Sequence, residues 1–117
     1  MICQNNDCGL ISIDSAVYTT IAGYAATSCF GVKGMAVRSV TDGLVHLLRR
    51  EAMSKGVHVT FHGDDTISID LHIMVDHGVN LDAICNSIIS EVRYNVTKET
   101  GTDVRAVHVY VDSIDPA

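Results

Sequence analysis

The sequence predicts an α+β domain: one mostly antiparallel sheet with helices packed on a single face. Three observations carry that expectation. Two segments, 57–61 and 66–75, alternate apolar and polar residues with a period of two, as half-buried strands do. Residues 81–100 repeat apolar residues at helical spacing. The chain has 117 residues and is 47% hydrophobic, enough for one domain with its own core. With no Trp and two Phe, that core must be largely aliphatic.

Taken in order, residues 1–8, "MICQNNDC", read as a disordered N-terminus before a single domain over 9–115. "GLISI" (9–13) reads as a short strand. Asp14 or Ser15 can cap a helix running to about Cys29. Its Val17, Ile21, Ala25 and Cys29 recur every four residues, with Ala22, Gly23 and Ala26 making a smooth strip suited to the sheet. "FGVKGM" breaks the pattern. A shorter helix is expected from near Thr41 or Asp42, with Leu44, Leu47 and Leu48 on one face and Gly56 as its stop. A hairpin follows. Asn80 then caps a long helix bearing Leu81, Ile84, Cys85, Ile88, Ile89, Val92 and Val96, and Gly101 closes it. A last strand runs from about Val104 to Val111. The order β-α-(α)-β-β-α-β is compatible with a ferredoxin-like split β-α-β arrangement.

The hairpin "SKGVHVTFHGDDTISIDLHIMVDHGV" holds most of the histidines. Alternation puts Val57, Val59, Phe61, Ile67, Ile69, Leu71, Ile73 and Val75 under the helices. It leaves His58, His62, Asp70 and His72 on the open face, joined by His108 from the last strand. A three-residue loop, Gly63 to Asp65, pairs His62 with Thr66, His58 with Asp70 and Val59 with Ile69, keeping like faces together. These five open-face residues are the expected protein-interaction surface, polar and carrying histidines, the side chain that titrates near neutrality. His58 and His62 lie about 13 Å apart along a strand and cannot share an ion. His58, Asp70 and His72 are the only weak metal candidates. No cofactor is expected.

Other chemistry is excluded or thin. A net charge of −6 argues against a nucleic-acid binder, which needs a basic surface. The cluster Arg49, Arg50 and Lys55 contains Glu51 and reads as a solvated helix end. No G-x-S-x-G, P-loop, dinucleotide fingerprint or H-E-x-x-H occurs, and no enzyme is expected. No apolar run approaches the ~20 residues of a membrane helix, and the N-terminus lacks a signal-peptide pattern. The four cysteines then read as cytoplasmic thiols, Cys29 and Cys85 in the core. Cys3 and Cys8 have no second ligand pair for zinc.

"GLISID", "IAGYAATSCFGVKGM", "LLRREAMSKGVHV", "ISIDLHIMVDHGVNL" and "TKETGTDVRAVHVYVDSI", in that order, resemble the alkaline shock protein family. These are envelope stress response proteins of Gram-positive bacteria. The resemblance covers about residues 9 to 115. It implies a non-enzymatic, cytoplasmic, self-associating oligomer in cell-envelope homeostasis, held at the membrane through a small anchoring protein. An alternative context is accessory regulation of a lipid or fatty-acid metabolism enzyme. His58, His62 and His72 stand where the family is expected to carry Lys, Glu and Tyr.

Overall fold

The computed structural model describes residues 2–38 and 43–116. Strands β1 (Ile2–Asn6) and β2 (Gly9–Ile13) lead into helix α1 (Ser15–Thr27). Strands β3 (Val32–Arg38) and β4 (Val45–Leu47) precede a 3-10 helix over Arg50–Gly56. Strands β5 (Val57–Phe61) and β6 (Thr66–Val75), helix α2 (Leu81–Thr100) and strand β7 (Asp103–Ile114) complete the chain. The predicted class holds: an α+β fold with a mostly antiparallel sheet and both helices on one of its faces.

β6 organises the sheet. Along one edge it pairs antiparallel with β5 and then with β3, and β4 extends the sheet beyond β3. Along the other edge it pairs with β7 in parallel over its whole length. Helix α2 makes that crossover. β7 therefore lies directly beside β6, not across an inserted strand as a split unit would have it. The hairpin register is the expected one, with His58 opposite Asp70 and Val59 opposite Ile69. The His62 N–H donates to the Thr66 carbonyl at 2.9 Å.

Burial follows the alternation along β6. Ile67, Ile69, Leu71, Ile73 and Val75 are each 0% exposed, while the residues between them are only part-buried. Ile84, Ile88, Val92 and Val96 of α2 and Tyr18, Ala22, Ala25 and Ala26 of α1 close over this surface. Each large side chain buried in this way contributes about 1.5–3 kcal/mol relative to exposure. The α1 stripe is rotated from expectation, since Val17 is exposed and Tyr18 buried. Tyr18 wins because its hydroxyl finds a buried partner, the Thr102 Oγ1 at 2.8 Å, and its ring meets Phe61 edge-on. The strip at Gly23 meets Met53 of the 3-10 helix, whose Cγ would sit 3.4 Å from an added Cβ.

Three local expectations are corrected. Residues 2–6 are not a disordered tail but β1, registered from Ile2 against Ile13 to Asn6 against Gly9. Ile2 is buried and the Gln4 amide donates to the Thr100 carbonyl at 2.8 Å, tying this hairpin to the end of α2. "VKGMAVR" is a strand with Met35 and Ala36 buried, although Gly31 and Gly34 break its pattern. The second α-helix does not form. Its expected start at Thr41 or Asp42 lies outside the described residues, Val45–Leu47 is a short strand, and only Arg50–Gly56 is helical, as 3-10. The leucines that suggested a helix face divide instead between exposed Leu44 and Leu47 and part-buried Leu48.

Candidate functional site

The open face of the sheet gathers the singled-out residues into two rows. His58 on β5, Asp70 on β6 and His108 on β7 are cross-strand neighbours, with Asp70 in the middle. Both histidines are exposed and Asp70 is half-buried. One pleat further on, His72 of β6 is the Cα partner of Tyr110 of β7, and their rings stack at 4.9 Å between centroids, 16° apart. The His58 ring meets His72 edge-on at 5.7 Å. His72 Nδ1 donates to the Asp112 carboxylate, 3.1 Å from Oδ2 and 3.3 Å from Oδ1. His62 stands apart at the turn, its Nε2 2.7 Å from the Ser68 hydroxyl. The parallel placement of β7 thus brings four of the five residues together and leaves His62 at the rim.

Tyr110 and Asp112 complete the cluster and were not among the residues expected to act. The signal was present, because 108, 110 and 112 share a parity along the last strand. Beside the cluster, Arg38, Lys55, His58, His72 and Asp112 line a hollow of about 340 Å³. It mixes cations with a carboxylate already committed to His72.

Metal chemistry finds little support. Among the described residues, no group of three or more His, Cys, Asp or Glu side chains is placed to hold an ion. The weak set His58, Asp70 and His72 does not converge, since His58 and His72 meet as rings and His72 turns its Nδ1 to Asp112. Cys3 and Cys8 are exposed thiols on the N-terminal hairpin. Cys29 and Cys85 are part-buried, and burial raises both thiols above their ordinary pKa. At the hairpin turn, the Thr66 hydroxyl and then the Arg105 guanidinium hold the Asp64 carboxyl at about 2.

A second concavity of about 740 Å³ lies on the helix side, between Ile21, Tyr24 and Cys29 of the α1 region and Glu91, Asn95 and Glu99 of α2. Phe30 stands at its margin, 92% exposed. The Cys29 thiol there donates to the Ala25 carbonyl at 3.4 Å. Among the described residues, no helix is long and apolar enough to cross a membrane.

Fold and face together define a small α+β domain with a helix-covered core and a polar, histidine-bearing sheet surface. The chain belongs to the alkaline shock protein 23 family, described as having a cell envelope-related function, which it matches over residues 3–116. That is the family its motifs resemble. It is 36% identical to the uncharacterized protein YloU of Bacillus subtilis over 107 residues, 91% of this chain and 88% of that one. It is also 36% identical to the uncharacterized protein Spy1614 of Streptococcus pyogenes, covering 94% of this chain and 91% of the relative. Among solved structures it is similar to "MamM-CTD 215-293", with a TM-score of 0.51, 17% identity, and 86% and 99% of the two chains covered. That likeness is one of fold alone.

Proposed function

We propose that this alkaline shock family protein is a non-enzymatic, self-associating component of cell-envelope homeostasis. It works from the cytoplasm and recruits its partner through the open face of the sheet. The observation that carries the reading is the continuous polar patch His58–Asp70–His108 with His72, Tyr110 and Asp112. Its rings and charges are presented on paired strands that lie over the core. Aromatic and polar groups on an open sheet face suit contact with another macromolecule better than enclosure of a small substrate. The preferred partner is a small membrane-anchoring protein. A lipid-metabolism enzyme is the alternative, and co-purification separates the two.

The test is affinity purification of the chain from its host, in parallel with an Asp70→Lys variant of unchanged thermal stability. Recovery of an envelope or lipid-metabolism protein by the wild type, lost in the variant, is the expected result. A chain that stays monomeric at high concentration and recovers neither kind of partner would overturn the proposal.

A further inference from the structure

β7 is twelve residues long and, among the described strands, pairs only with β6. Its other edge carries a row of backbone N–H and C=O groups facing away from the sheet. The remaining edge strands are shorter, five residues in β5 and three in β4. Natural proteins blunt such edges with lysine, proline, brevity or bulges. β7 contains no lysine and no proline. Its register against β6 shifts twice, so that Arg105 and Asp112 have no Cα partner. Between those shifts runs Ala106–Val111, "AVHVYV", six regular residues rich in β-branched side chains and free of carboxylates.

We infer that this edge is where two copies of the chain meet, β7 pairing antiparallel with β7 across a twofold axis near His108. The inference rests on the self-association proposed above and names its interface. Three features favour a second copy over a foreign strand. An axis through His108 sets that residue against itself and brings like face to like face. Val107, Val109 and Val111 then extend the helix-covered side, while His108 and Tyr110 extend the open face. The chain carries a net charge of −6, yet this run lets two copies approach without opposing carboxylates. The run is also bounded by opposite charges, Arg105 before it and Asp112 after it, each of which also pairs within its own chain, with Asp64 and His72. The antiparallel twofold sets each basic end beside the acidic end of the other copy, whereas a parallel pair would set like beside like. Tyr110, 47% exposed, gains a cover in that arrangement. The two histidine patches then join into one surface twice as wide.

The experiment uses the full chain with Cys3→Ser and Cys8→Ser, carrying His108→Cys. Ala106→Cys combined with Tyr110→Cys, positions opposed across the same axis, serves as a second variant if the first folds poorly by circular dichroism. Sedimentation velocity gives the association state, and oxidation or a short bismaleimide traps strands within reach. The expected result is a dimer or larger species, a covalent dimer from the β7 cysteine, and little from a control Thr60→Cys on the opposite edge. His108→Lys, adding an edge lysine, is expected to shift the equilibrium toward monomer with an unchanged circular dichroism spectrum. Association that persists while neither β7 variant cross-links would overturn the interface and leave the self-association reading intact. A monomer at every concentration would overturn both.

Discussion

At the scale of single residues, the Tyr18 hydroxyl on Thr102 Oγ1 is a buried polar pair at 2.8 Å in an aliphatic core. Tyr18→Phe leaves the threonine oxygen buried without that partner, and should cost about 1–3 kcal/mol in urea unfolding. The double variant with Thr102→Val should cost less than the sum of the two single ones, because no orphaned group then remains. A second residue-scale prediction concerns the turn. Arg105→Gln should raise the Asp64 pKa from about 2 toward its ordinary 3.8 in an NMR titration, though not fully, because the Thr66 hydroxyl is the larger cause. Asp64 has a depressed folded-state pKa, so its contribution to stability is present above the unfolded value and fades as pH falls through about 2. Tyr18 itself was hard to read from sequence. The four-residue repeat Val17, Ile21, Ala25, Cys29 is as regular as the stripe actually buried, and the deciding partner, Thr102, lies 84 residues away.

At the scale of elements, α2 was the most legible, because its signals are local. The Asn80 side chain accepts the Ala83 N–H, and Gly101 closes the helix at φ 72°. Asn80→Ala should cost about 1 kcal/mol by chemical denaturation, as loss of a single cap does. Gly31 holds a heavier constraint. Its φ is +89°, and a Cβ there would lie 2.5 Å from Ile84 Cδ1 on α2. Gly31→Ala should therefore cost more than the cap variant, about 1–3 kcal/mol from the backbone strain before any displacement of α2 is added. The region from Val32 to Gly56 was least legible. A strand with one glycine inside it and another just before it takes its form from β6 and α1 rather than from its own pattern. So do leucines that land on a short strand and its flanks. The expected helix start at Thr41 or Asp42 has no described structure to compare with.

At the scale of the whole molecule, stability centres on β6, which pairs with β3, β5 and β7 and lies under both helices. Ile69→Ala there should cost about 2–5 kcal/mol, since a fully packed site cannot collapse around the loss. Leu10→Ala on the N-terminal hairpin, where the side chain is 61% exposed, should stay within about 0.5 kcal/mol. Thermal melts of the two variants check the contrast. The same centrality links fold to function. The strand that supplies Ile69 and Leu71 to the core supplies Asp70 and His72 to the open face, so the proposed contact surface is built directly on the core.

The sequence by itself determined which residues face in and which face out along the hairpin, the register of β5 on β6, and the span and caps of α2. It also carried the family. The structural features rest on periodicity, turn length and capping, which act over a few residues. Only the tertiary structure decided the order of the strands. Placing β7 parallel beside β6 set His108 next to Asp70, stacked Tyr110 on His72, and gave Asp112 its imidazole partner. It also left the twelve-residue β7 edge on the outside. Those outcomes depend on where a helix crossover returns the chain, a choice governed by packing across the whole sheet, and no local pattern in "VRAVHVYVDSI" encodes it.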